Sequence, residues 1–166
     1  MKKTCTHQIK RIAFAAAGFA LLPLTSLAES GQFVRIELSG AKRILTLAEV
    51  QVFSGKTNVA PSGKATQSSI GSGGVASGAI DGTTGGEYTA GKLTHTSEQT
   101  NPWWELDLGK TVAIDAITIW NRGQLQERLD GFTLRVLDAN RNEVFFKSNL
   151  GAPPEVLRLE VKPKGK

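Results

Sequence analysis

Four stretches of this chain alternate apolar and polar residues nearly one for one: residues 32–38 (QFVRIEL), 104–108 (WELDL), 132–136 (FTLRV) and 156–161 (VLRLEV). Successive side chains of an extended strand point to opposite faces, so each stretch has one face to bury and one to leave in water. No segment long enough for a helix carries an apolar stripe at helical spacing. Between the alternating runs lie Ser39-Gly40, Ser54-Gly55, Ser62-Gly63, Gly71-Ser72-Gly73-Gly74 and Thr83-Thr84-Gly85-Gly86, all turn material. Together these predict an all-β chain folded as an antiparallel β-sandwich. Residues 114–120 are more densely apolar than alternation allows and read as a central strand. Residues 71–100 are polar and loop-like, and a loop of that length in a small domain is usually functional or held by a ligand. The last residues, 162–166, read as a frayed tail.

The start of the chain has a different character. Lys2, Lys3, Lys10 and Arg11 precede an apolar run over residues 12–22, followed by the small residues Ser26 and Ala28. This pattern reads as a secretory signal peptide over residues 1–28, cleaved after Ala28, with one domain over residues 29–166. Secretion or export to a periplasm is the expected localisation. Those 28 residues hold four basic and no acidic side chains, so of 20 and 15 the remainder keeps 16 basic against 15 acidic, a net charge of about +1. A nucleic-acid-binding domain would carry a basic footprint, and none remains. Cys5 also falls within the first 28 residues, so the exported domain contains no disulfide and depends on its apolar core.

Outside that segment His95 is the one histidine, and 26 residues separate it from Arg122, with Arg128 a few residues further on. Two guanidiniums offer fixed forks of N–H donors, and an imidazole can donate or accept, a set that suits a neutral ligand rich in hydroxyls. The plain alternatives are a solvated surface histidine, and arginines that pair with Asp130, Glu127 or Asp115. Catalysis has little to stand on. The acids are scattered rather than paired across a cleft, and no nucleophile elbow, zinc motif or phosphate loop occurs. Membrane insertion would need exposed apolar spikes beside a basic surface, and Leu93 and Leu125 are the few candidates. Trp103 and Trp104 face opposite ways if they lie in a strand, so at least one belongs to the core, and neither is assigned to the site.

Several blocks together carry a resemblance: Asn58-Val59-Ala60, Ala65-Thr66-Gln67-Ser68-Ser69, Ala79-Ile80-Asp81-Gly82, Thr94-His95-Thr96, the run over residues 101–109 (NPWWELDLG), and Ile119-Trp120-Asn121-Arg122-Gly123. In order and spacing, over residues 57–147, the chain resembles the F-type lectins, fucose-binding members of the discoidin-like, coagulation-factor C-domain-like superfamily. The resemblance implies a jelly-roll sandwich of the galactose-binding-domain type. It implies that His95 and Arg122 contact the hydroxyls and ring oxygen of a fucose-type sugar. Arg128 resembles the second basic residue of the family signature, with Gln124 where the family has aspartate and one residue fewer before Arg128. The family's vicinal cysteine pair is absent.

By the same resemblance Tyr88 helps to form a pocket for the methyl group of the deoxy sugar, the alternative being a packing role. A structural calcium is also implied. Asp81 and Glu49 would supply carboxylates, with backbone carbonyls of Gly78, Thr83 and Ala48 and an oxygen of Lys92 completing the shell, since calcium accepts six to eight oxygens of mixed kinds. The ion would tie down the loop that presents Tyr88 and His95. Residues 33–38 and 44–52 resemble strands that normally end such a domain, which implies a permuted arrangement; a remnant of a preceding module is the rival reading. Fucosylated or related glycans are the expected partners, with a homo-oligomer or larger envelope assembly supplying avidity. The alternatives are galactose-type glycans and a protein-interaction module without sugar affinity.

Overall fold

The computed structural model describes residues 29–87 and 92–162. The predicted signal peptide, Tyr88 and the end of the tail lie outside the described residues. Nine strands follow one another as β1 (Glu29–Leu38), β2 (Glu49–Ser54), β3 (Thr57–Asn58), β4 (Lys64–Gln67), β5 (Trp103–Ile114), β6 (Ala116–Trp120), β7 (Phe132–Leu137), β8 (Glu143–Leu150) and β9 (Val156–Glu160). They form two antiparallel sheets, one in the order β4-β5-β1-β7-β8 and the other β3-β2-β6-β9. Short 3₁₀ turns cover Ala60–Ser62, Ala76–Ala79 and Gln126–Leu129.

Alternation decides which face of each sheet is inside. In β1, Val34, Ile36 and Leu38 are buried while Arg35 and Glu37 face outward, and in β5 Trp104 and Leu106 are fully buried. The inward rows of both sheets meet in one core with Phe132, Leu134, Ile117 and Ile119. Burying side chains of this size contributes about 1.5–3 kcal/mol each, which lets a chain without disulfides stay folded. Trp104 closes the core toward the long loop, where its Nε1 donates to the Ala76 carbonyl at 2.9 Å. Trp103, half-buried on the other face, lies under the Arg35 guanidinium at 4.4 Å.

β1 runs between β5 and β7, and β2 between β3 and β6, so Glu29–Leu38 and Glu49–Ser54 are integral to the sandwich as the permuted reading requires. Two expectations need correction. The densely apolar run 114–120 is broken at Asp115, so Ile114 ends β5 in one sheet and Ala116 starts β6 in the other. Asp115 earns that corner by receiving the Gly55 amide on Oδ2 at 2.6 Å. The predicted strand 44–52 begins only at Glu49. Leu45, Thr46, Leu47 and Ala48 are all fully buried, so the segment has no solvent face and lies outside either ladder. Strands β3, β4 and β8 have too little alternation to be flagged by pattern.

Candidate functional site

Residues 45–47 shape the site by running alongside Thr94-His95-Thr96. The amides of Leu45 and Leu47 donate to the hydroxyls of Thr96 and Thr94, both at 2.9 Å. In return the amides of Thr94 and Thr96 donate to the carbonyls of Leu47 and Leu45, at 3.0 and 3.1 Å. Two threonines thus substitute side-chain oxygens for ladder carbonyls and hold His95 between them. On the other side lies the loop 69–74. Gln67 Nε2 stands 2.7 Å from the Ser69 carbonyl, 2.9 Å from that of Gly74 and 3.2 Å from that of His95. A side chain at Gly74 would put its Cβ 2.5 Å from His95 Cβ, so only glycine lets this loop lie against the histidine.

His95 is 8% exposed. Its Nδ1 lies 2.8 Å from the Thr96 carbonyl oxygen, which can only accept, so Nδ1 carries the proton of the neutral ring. Nε2 then offers a lone pair, and Arg128 Nη1 stands 3.3 Å from it. Burial first, then the charges of Arg128 and Arg122, hold the imidazole pKa below its ordinary value against the opposing hydrogen bond to Thr96. The ring is therefore neutral at neutral pH. The structure brings together three of the four predicted sugar-binding residues, His95, Arg122 and Arg128, while Tyr88 lies outside the described residues. Among the described residues, no ion pair joins Arg128 to Asp130, Glu127 or Asp115.

Arg122 follows β6 and is 6% exposed. Its amide donates to Asn121 Oδ1 at 2.9 Å, and Asn121 Nδ2 donates to the carbonyls of Gln126 and Pro153 at 3.1 and 2.8 Å. Asn121 thus fixes the loop between Arg122 and Arg128. Within it Leu125 has φ of +57° and is 45% exposed, while Gln124 is exposed. Leu93, a possible spike by sequence, is instead fully buried. Arg122 lines a cavity of about 350 Å³ with Thr84, Trp120, Gln126 and Glu155. A second cavity, of about 370 Å³, is lined by Arg35, Glu37, Ser39, Asn101 and Trp103 and contains none of the predicted residues. Neither cavity is lined by His95 or Arg128.

The predicted metal ligands also converge in part. Glu49 is fully buried, accepts the Gly82 amide on Oε1 at 3.2 Å and leaves Oε2 buried with no hydrogen-bond partner. Burial, with a smaller push from the Asp81 charge, raises its pKa to about 7. Asp81 receives the Thr83 amide at 2.8 Å and the Lys92 ammonium at 3.3 Å. Burial works to raise the Asp81 pKa, but the bonds from Thr83 and Lys92 outweigh it and lower it. The Lys92 side chain therefore brings a charge rather than an oxygen, leaving its carbonyl as the donor the prediction requires. Gly78 is buried in the turn Ala76–Ala79, and Ala48 immediately precedes Glu49. Among the described residues no cluster of three or more histidine, cysteine or acidic side chains surrounds a metal position.

A family model described as a NedA-like, galactose-binding domain, of the factor 5/8 C type, matches residues 78–160, half of the chain. Fucolectin-1 of Anguilla japonica is 42% identical over 92 residues, covering 52% of this chain and 51% of that protein. The pentraxin fusion protein of Xenopus laevis is 36% identical over 105 residues, 57% of this chain and 25% of that protein. Among solved structures, a fucose binding module of Streptococcus pneumoniae superposes with a TM-score of 0.61 at 35% identity, over 65% of this chain and 77% of that one. The chain spans about half the length of the fucolectin it matches and a quarter of the pentraxin fusion protein. Fold and matches define a β-sandwich of the galactose-binding-like class. The chain belongs to the NedA-like galactose-binding domain family and carries an F-type lectin domain.

Proposed function

We propose that this domain is a carbohydrate-binding module for L-fucose-type sugars, without catalytic activity, acting through His95, Arg122 and Arg128. One observation carries the reading: a neutral imidazole whose Nε2 lone pair faces Arg128 Nη1 at 3.3 Å. That contact is at the long end for a hydrogen bond, so a sugar hydroxyl lying beside both nitrogens can compete for it. The hydroxyl would donate to Nε2 and accept from Arg128, with Arg122 as a second fork. The similarity to the eel fucolectin and the pneumococcal fucose binding module supports fucose as the sugar. Tyr88 is proposed to supply apolar surface for the deoxy carbon.

A structural calcium belongs to the same proposal. The residues fit it in part: Glu49 presents a buried carboxylate oxygen without a partner, and Asp81 adds a second carboxylate. Carbonyls of Ala48, Gly78, Thr83 and Lys92 would complete the shell. When bound, the ion would supply the positive charge that lets Glu49 ionise and would fasten the loop leading to His95. Glu49 and Asp81 would hold it, while Lys92 competes for Asp81. We further propose export guided by residues 1–28, and display in multiple copies, because a single shallow sugar site binds weakly.

Titration calorimetry with L-fucose and D-galactose, each with calcium and with chelator, tests the reading. Saturable heat with fucose that His95→Ala removes is the expected result. Preference for D-galactose would change the sugar, and silence with both at millimolar concentration would overturn the lectin reading in favour of a protein partner.

A further inference from the structure

Three loops meet at His95 and Arg128, and one side chain bridges them. Arg43, half-buried in the connection between β1 and β2, pairs with Gln99 through both main-chain bonds: Arg43 N to Gln99 O at 2.9 Å, and Gln99 N to Arg43 O at 3.0 Å. The same lacing continues at Gly40, whose amide donates to Asn101 Oδ1 at 2.8 Å, and at Leu45 and Leu47, which hold Thr96 and Thr94. The main chain of Arg43 is thus fixed to the segment that carries His95. Its guanidinium reaches the other way. Nη2 donates to the Asp130 carbonyl at 2.6 Å and stands 3.4 Å from that of Arg128, while Nη1 donates to the Ser39 carbonyl at 3.2 Å. Asp130 caps the turn Gln126–Leu129, and the Arg128 amide bonds back to Leu125 within it. A planar guanidinium can grip carbonyls in two directions at once, which a lysine ammonium on a flexible stem does not reproduce.

We propose that Arg43 is a positioning residue for the sugar site: its guanidinium fastens the loop that carries Arg128 to the segment that carries His95, and so sets the distance between the two. Its role in binding rests on the carbohydrate reading above, whereas its effect on His95 does not. Arg43 lies outside residues 78–160, the part of the chain that the family model matches.

The test uses the full chain with His7→Gln throughout, leaving His95 as its one imidazole, and reads the ring nitrogens by NMR titration beside fucose affinity and melting temperature. His95 is faced by the Arg128 and Arg122 guanidiniums and the Thr96 carbonyl. Arg43→Met keeps the apolar stem and removes the fork. It is expected to move the His95 titration toward the ordinary imidazole value and to weaken fucose binding by about tenfold, equivalent to about 1.4 kcal/mol. Arg43→Lys should fall between. In an Arg128→Ala background, Arg43→Met should change neither quantity, because the group it positions is gone. An unchanged His95 titration in Arg43→Met, with only the melting temperature lowered, would reduce Arg43 to a structural role and overturn the proposal. A shift that persists without Arg128 would overturn it as well. If Arg43→Met does not fold, Arg43→Lys in the two backgrounds yields the same decision. A parent protein that binds no fucose but whose His95 still responds to Arg43 would sink the lectin reading and leave the clamp intact.

Discussion

Arg128 Nη1 stands 3.3 Å from His95 Nε2, although the two residues are 33 positions apart in the chain, and the opposite ring nitrogen is held by the Thr96 carbonyl at 2.8 Å. A protonated ring would place a third positive charge beside Arg128 and Arg122 and would turn the acceptor at Nε2 into a donor.

Sugar affinity should therefore depend on pH in one direction. Burial and the two guanidiniums lower the His95 pKa from 6.5, so the neutral form persists below that pH. The expected outcome is a constant affinity from pH 8 to about 6.5, falling as pH drops through the lowered pKa. The same shift makes protonation favour the unfolded chain, whose pKa is higher, so stability is lost as pH falls below about 6.5. Calorimetric titrations across this range, beside His95→Gln, check the assignment; a rise in affinity on acidification would contradict it.

Arg128→Ala and Arg122→Ala should differ. Arg128 is half-buried and its removal leaves the core untouched, so melting should shift by only a few degrees while fucose affinity falls, since a charge-assisted hydrogen bond contributes about 1.5–3 kcal/mol. Arg122 is 6% exposed and follows directly from β6, so its truncation should cost stability as well as affinity. Paired thermal melts and fucose titrations separate the two outcomes.

Glu49→Gln tests the metal. In chelator above pH 7 the parent carries an ionised, buried carboxylate whose pKa is raised to about 7, a burden that the amide removes. The variant should be more stable than the parent without calcium above pH 7, because the amide carries no charge to bury. It should also gain nothing from calcium, whereas the parent at a hundredfold excess over Kd gains about 2.7 kcal/mol. Differential scanning calorimetry with and without calcium decides; a parent melting temperature indifferent to calcium would remove the ion.

Gly74→Ala should disturb the site from behind. Its Cβ would meet His95 Cβ at 2.5 Å and the His95 amide nitrogen at 2.6 Å, both main-chain or stem contacts that cannot swing away. Displacing His95 is expected to lower fucose affinity about tenfold or more and to cost about 1–3 kcal/mol of stability, as overpacking does. Gly73→Ala, beside it, is a poor control because Gly73 has φ of +75°. Glu98→Ala, at an exposed position beyond His95, serves better.

The long strands were legible because their signal is local. Residues 32–38, 104–108 and 132–136 alternate and lie within β1, β5 and β7, and β9 covers all but the last residue of the run 156–161, with Trp104 inward and Trp103 outward. Residues 45–48 show no strand period because they are buried on every side, and their partners include two threonine hydroxyls some fifty residues away. Asp115 divides an apolar run by capping a corner, which no periodicity announces.

For the candidate site, the spacing of His95 from Arg122 marks both residues in the sequence, and the fold brings Arg128 beside His95 despite the shortened loop. The role of Arg43 was invisible. Nothing in the run Ala41-Lys42-Arg43-Ile44 distinguishes a clamp from a solvated arginine, and the Asp130 carbonyl that it grips is 87 positions away. Gln67 spans three carbonyls around the loop 69–74, a role that its place in the run Ala65-Thr66-Gln67-Ser68-Ser69 does not announce.

By itself the sequence determined the all-β class, the faces of the principal strands and the identities of His95, Arg122 and Arg128 as candidates, because side-chain period and motif spacing are written along the chain. Only the tertiary structure decided that His95 is neutral with Nδ1 protonated, that Lys92 answers Asp81 with a charge, that Glu49 is buried with an unpartnered oxygen, and that Arg43 joins two loops. Each of those depends on which distant groups share a low-dielectric space once the two sheets close, and that proximity is a property of the closed fold rather than of any local pattern.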